Sequence, residues 1–224
     1  STGAGNETRG VYTSGYAVPL ASSTDAFQQQ FYYINFASTG NAMGFGDIPT
    51  NASSRSMNAI QNRTRGFFCG GEGTNKSPGT QNKKITEITF ATLGSAITFG
   101  ELSGESKGGA SMESHTRAVV VLGGNATAPE AFKDTIEYFT MATRGNTTDF
   151  GNASSNTGAI NDNAATNTIR GVYHNARTSD GGSNKNILEY ITIASTGNAT
   201  DFGDLTSTRN SGCGLSDTHG GLHE

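Results

Sequence analysis

The sequence predicts an all-β fold, a β-propeller-like array of four repeats of about 52 residues, each built of four short strands. Three observations carry this. Gly, present 31 times, punctuates the whole chain, and good helix formers do not occur in series. A Phe-Gly pair recurs at Phe45, Phe99, Phe150 and Phe202, with spacings of 54, 51 and 52. An Arg opening an apolar run recurs at Arg9, Arg65, Arg117 and Arg170, with spacings of 56, 52 and 53. Two anchors keep one period, and the insertions fall between them. The repeats run over approximately 9–64, 65–116, 117–169 and 170–224 and form a single domain. A linear β-solenoid is the alternative arrangement.

The elements follow from each anchor in turn. Strand a starts at the Arg (Val11-Tyr12, Phe67-Phe68, Val119 to Leu122, Val172-Tyr173). Strand b is the long apolar run that closes on Ala37, Ala91, Ala142 or Ala194. It is apolar at nearly every position, as a strand covered on both faces is. A turn follows at Gly40, Gly94, Gly145 and Gly197, where Gly and the adjoining Asn suit a hairpin. Strand c ends at Phe-Gly, always 8 residues after the Ala. Strand d is the Ser/Ala/Asn stretch before the next Arg. At the chain ends, the prefix STGAGNE resembles the tail of a strand d, and DTHGGLHE the start of a strand a with His219 in the Arg position. These ends fit four copies that close on themselves, or a longer array or oligomer.

Composition bounds the function classes. Only 38 of 224 residues are Ile, Leu, Val or Phe, a level that goes with disorder when net charge is high. Here the formal net charge is −4 and charged residues are 15%, so a folded chain of many short strands is expected. That charge balance leaves no electrostatic footprint for nucleic acid. No apolar run is long enough to cross a membrane as a helix, and the first residues carry no basic-then-apolar leader. Cys69 and Cys213 occupy inequivalent positions and are expected to be buried free thiols. His219 and His223 stand four apart among glycines, a poor helix, so no metal site is expected and no cofactor is implied. No nucleophile-elbow, P-loop or zincin motif occurs. N-x-S/T sequons, among them those starting at Asn6, Asn51, Asn62, Asn125, Asn146, Asn152 and Asn198, would matter only on a eukaryotic secretory route.

The double Gly after strand a (Gly70-Gly71, Gly123-Gly124) resembles the kelch signature, without the Trp that kelch blades carry. The pattern T-R-G-hydrophobic followed by YITIASTGNATDFGDL resembles the Gly/Asn/Thr-rich, kelch-like repeats of tailed-bacteriophage proteins, tail-associated and cyanophage virion structural proteins among them. The resemblance covers the whole chain through its four copies. It implies a noncatalytic virion protein, exposed on tail or capsid, that meets other virion proteins or itself and offers loops to a host-surface glycan. The alternatives are a glycan-binding propeller lectin of non-viral origin and a polysaccharide-active enzyme.

Comparing the four copies gives three site expectations. The residue after Phe-Gly and a base soon after it are paired across the c–d turn: Asp47 with Arg55, Glu101 with Lys107 and Asp204 with Arg209. The third copy loses both, having Asn152 and Asn156. The repeat Arg would ring the axis as an anion channel if strand a were innermost, but its strict periodicity favours a bond to carbonyls or to a neighbouring repeat. The a–b loops differ most among copies, so they are the candidate recognition surface, with Tyr16, Phe27, Phe132, His174 and Arg177 as contact residues.

Overall fold

The structure is a computed structural model that describes residues 2–13, 16–17, 26–27, 29–50, 52, 56–74, 77–124, 132–157, 164–177, 183–209 and 212–216. Its strands form four antiparallel four-stranded sheets. The first sheet holds β1 (Gly3–Gly5) and β2 (Arg9–Thr13). A separate ribbon of β3 (Tyr16–Ala17) and β4 (Ala26–Phe27) follows, and β5 (Gln30–Asn35) and β6 (Met43–Asp47) complete the sheet in the order β1-β2-β5-β6. The second sheet has β7 (Asn58–Gln61), β8 (Arg65–Cys69), β10 (Ser77–Thr89) and β11 (Ile97–Ser106) in that order, with β9 (Glu72–Thr74) paired to β10. The third runs β12 (Gly109–Glu113), β13 (Arg117–Leu122), β14 (Lys133–Thr140), β15 (Thr148–Thr157). The fourth runs β16 (Ala164–Thr166), β17 (Arg170–Arg177), β18 (Asn184–Thr192), β19 (Thr200–Arg209).

The fourfold all-β propeller-like array is as expected, but its phase differs. The strand before each repeat Arg belongs with the three strands that follow it. A two-residue turn makes this pairing local. Asn6 N–H donates to Arg9 O at 2.9 Å, and Asn62, Ser114 and Asn167 repeat the bond to Arg65, Arg117 and Arg170. The same four side chains accept from the backbone N–H groups two and three residues on, an Asx turn or its Ser equivalent. Asn6 and Asn62 therefore serve the turn, which explains two of the sequons.

The first strands stand in succession, β1 against β7, β7 against β12 and β12 against β16. Ser111 Oγ donates to Ala59 O at 2.9 Å between two of them. They form the inner column, so strand a lies second and the repeat Arg residues do not line the axis.

Three cores fill the three gaps between neighbouring sheets. Side-chain alternation sends Phe68 to the gap with the first sheet and Phe67 to the gap with the third. Ala118, Val120 and Leu122 face the second sheet, and Val119 and Val121 face the fourth. Two-sided burial is thus most complete in strand a of the two middle sheets. Cys69 is buried, as expected, whereas Cys213 is exposed.

Candidate functional site

The Phe-Gly pair is a β-bulge in every sheet. The pairing steps from Phe31↔Gly46 to Tyr32↔Gly44, from Ile85↔Gly100 to Thr86↔Thr98, from Ile136↔Gly151 to Glu137↔Asp149 and from Leu188↔Gly203 to Glu189↔Asp201. The skipped residue is each time the Phe. A bulge frees backbone groups from the ladder and bends the strand.

Those freed groups meet the next sheet. The strands b and c are joined not by a tight hairpin but by seven residues, 36–42, 90–96, 141–147 and 193–199. This length lets the connection lean onto the preceding sheet. Phe45 O accepts from Gly94 N–H at 2.9 Å, Phe99 O from Gly145 N–H at 3.1 Å, and Phe150 O from Gly197 N–H at 2.7 Å. Asp47 O, Glu101 O and Asn152 O accept from Ala96, Thr147 and Ala199. The N–H groups of Asp47, Glu101 and Asn152 donate to the side chains of Ser95, Asn146 and Asn198. The approach is so close that a Cβ on Gly46, Gly100 or Gly151 would run into the carbonyl of Gly94, Gly145 or Gly197. This backbone proximity is why Phe is followed by Gly.

The repeat Arg spans the same joints. Arg9 donates to Phe90 O at 2.5 Å, Arg65 to Met141 O, and Arg117 to Ile193 O at 2.9 Å and Ala194 O at 2.8 Å. Its guanidinium also lies over an aromatic ring of its own sheet, 4.5 Å from the Tyr138 centroid for Arg117 and 4.3 Å from Tyr190 for Arg170. Arg170 donates to no such carbonyl among the described residues, which hold no b–c connection on that side of the fourth sheet. Arg117→Ala should therefore cost about 2 kcal/mol, and Arg170→Ala less than about 1 kcal/mol, read from denaturant unfolding midpoints.

The acid–base pairing across the c–d turn is not what the structure shows. Glu101 pairs with Lys83 at 2.8 Å and with Lys84, while Lys107 pairs with the buried Glu72. Asp204 and Arg209 form no ion pair. They lie five residues apart on β19, Asp204 opposite Ile187 and Arg209 opposite Lys185, with a register shift between them. Arg55 lies outside the described residues, so its pairing with Asp47 does too. What the position after Phe-Gly contributes to the joint is its backbone, which is why acid and Asn interchange there. The Lys83 and Lys84 ammonium groups hold the Glu101 carboxyl down at about 2. Stability from this cluster is present above the ordinary Glu range and lost as pH falls through about 2. A carboxyl NMR titration should place Glu101 there, and Lys83→Ala should move it up.

Of the loop candidates, two prove to be interior. Phe132 is buried, and His174 is buried with its Nε2 donating to Lys185 O at 2.9 Å. Tyr16 and Phe27 are opposite one another in the β3–β4 ribbon, and Arg177 pairs with Asn184 at the end of β17. The side chains of these three lie outside the described residues. The a–b loops leave every sheet at the same end of strand a, as the common topology requires.

Sequence reasoning missed two buried carboxyls at one repeat position. Glu137 accepts from Ser103 N–H at 3.1 Å and from Thr147 Oγ1 at 2.6 Å. Glu189 accepts from Ser154 N–H at 3.0 Å, from Tyr173 Oη at 2.5 Å and from Asn175 Nδ2 at 3.3 Å. Burial and the facing Glu189 push the Tyr173 phenol well above its ordinary range. Each Glu reaches back to the sheet before it. In the first joint the matching donor is Pro49, which has no N–H, and the matching acceptor is Thr86, whose hydroxyl stays within its own sheet on Phe68 O. The signal in the sequence was Glu at equal distance before Ala142 and Ala194, with Thr86 at that place in the second copy going together with Pro49 in the first.

No family model and no curated protein matches the chain. Among solved structures the fold is similar to that of YjhT, with a TM-score of 0.72 over 93% of this chain and 71% of that chain, at 11% sequence identity. That likeness concerns the fold alone.

Proposed function

We propose that the chain is a noncatalytic structural and binding protein of a phage virion, exposed on tail or capsid, whose a–b loops meet a host-surface glycan or a partner protein. One observation supports this reading. The side chains that recur in all four copies (the Arg, the Phe-Gly bulge and the Asn or Ser turn) are engaged in building and joining sheets. The a–b loops, by contrast, are where the copies differ, and they leave each sheet from the same end of strand a. A rigid scaffold with divergent loops at one end is an arrangement for recognition. The buried Glu137 accepts two hydrogen bonds and Glu189 three, all from structural groups of the sheets, which suits a structural role better than proton transfer.

The test exchanges each a–b loop for a Gly/Ser segment of equal length and measures binding to host cells and to a glycan array. Saturable binding that is lost with one or two loops, at unchanged thermal stability, is the expected result. Release of reducing ends from a host polysaccharide, abolished by a single carboxylate change, would replace this reading with an enzymatic one.

A further inference from the structure

The two terminal faces of the array are the two halves of one joint. Three times within the chain, the Phe-Gly side of one sheet is covered by the b–c connection of the next, and the residues involved are equivalent each time. At the ends both halves lack this cover, although Tyr12 and Phe36 of the first sheet line an open cavity with Gly214–Ser216 of the same chain. Phe45, Phe99 and Phe150 are 3%, 3% and 2% exposed, whereas Phe202 on the fourth sheet is 51% exposed. A Cβ on Gly203 meets nothing within 4 Å, unlike its three counterparts. On the first sheet, Phe36 is 57% exposed, whereas its counterparts Phe90, Met141 and Ile193 are 0%, 1% and 1% exposed. The fourth sheet thus presents a bulge with no turn to receive, and the first a turn with no bulge to lean on.

We infer that the fourth sheet of one copy receives the first sheet of a second copy, head to tail, through the joint that the chain already makes three times within itself. The occupant is specified by chemistry. The fourth face offers the carbonyls of Phe202 and Asp204 and the guanidinium of Arg170. The first sheet of another copy brings the N–H groups of Gly40 and Ala42, the Asn41 side chain, and the carbonyl of Phe36, in the positions that Gly145, Thr147, Asn146 and Met141 hold in the third sheet. Burying Phe36 and Phe202 adds the apolar part of the drive. The contact is heterologous, so it extends until a ring closes. One element competes for it. Gly212–Ser216 lies beside β16, with a parallel bridge of Ser216 to Thr166 and Thr166 N–H donating to Leu215 O at 3.0 Å. That is the seat of a following first strand, so a docking copy displaces this segment. The inference does not rest on the loop-binding role.

Sedimentation velocity of the whole chain over a concentration series, with two single variants, tests it. The wild-type mass should rise with concentration, while Phe36→Lys and Phe202→Lys should each remain monomeric. Both positions are exposed, so the fold should persist, and circular dichroism checks that it does. Mixing the two variants should restore a dimer that grows no further, because each supplies the face the other lacks. Ending the chain at Arg209 should strengthen wild-type association at least tenfold. A wild type that stays monomeric at millimolar concentration overturns the inference, as does a single variant that still associates or a mixture that does not. An array closed within one chain, or a face reserved for a different partner, would appear as that monomeric wild type. Unchanged or weaker association of the shortened chain overturns the displacement of Gly212–Ser216.

Discussion

Gly100→Ala is expected to destabilise the protein by about 3 kcal/mol or more, lowering the thermal midpoint by roughly 10 °C. The cause is a backbone clash. The added methyl would stand inside the carbonyl of Gly145, and neither partner is a flexible side chain that can swing away. Relief requires the second and third sheets to part. Parting stretches the bonds from Gly145 N–H to Phe99 O and from Thr147 N–H to Glu101 O, and loosens the Phe67–Phe99–Phe139 cluster, whose centroids lie 5.1 to 5.4 Å apart. Gly145→Ala is the control on the other side of the same joint. Its Cβ meets nothing within 4 Å, so the change should stay within about 1 kcal/mol. Calorimetric melting of the two variants beside the wild type decides it. Equal losses would mean that close approach is not what fixes the bulge Gly.

Glu189→Ala should cost about 3–5 kcal/mol, since it leaves three donors in a buried site without an acceptor. These are the Tyr173 hydroxyl, the Asn175 amide and the Ser154 N–H. Glu189→Gln keeps one carbonyl oxygen and so should lose less, about 1–2 kcal/mol. Tyr173→Phe in the Glu189→Ala background should recover part of the loss, because it removes one of the stranded donors. Chemical unfolding of the wild type, Glu189→Ala, Tyr173→Phe and the double variant gives the coupling directly. A simple sum of the single effects would separate Tyr173 from the Glu189 site.

Much of the architecture could be read from the residues. The spacing of Phe45, Phe99, Phe150 and Phe202 marks one bulge per sheet, and the spacing of Arg9, Arg65, Arg117 and Arg170 marks one strand a per sheet. The Asn three residues before the Arg carried the answer to the phase, since a side chain that caps a two-residue turn binds the strand before it to the strand after it. The acid–base pairing was misleading because charges at the rim of a sheet find partners across strands. Glu101 had Lys83 and Lys84 on the neighbouring strand, closer than any residue further along its own. His174, placed on a variable loop by sequence, turned inward because the β17–β18 ladder continues past it, with His174 opposite Leu188 and Asn175 opposite Ile187, while Phe132 is buried just ahead of β14.

The sequence by itself determined the unit: its period, its strands, the Gly at each turn and the Phe that interrupts each ladder. These follow from local rules of alternation and backbone freedom, and each copy states them again. Only the tertiary structure decided how units meet. The strand before the Arg joins the following sheet, the Arg reaches the next sheet's carbonyl, and the low content of large apolar residues suffices because each core is shared by two sheets. Those outcomes depend on which backbone N–H and C=O groups a bulge leaves unpaired and on what lies within reach of them. That is a property of neighbouring copies in space, and no single copy contains it.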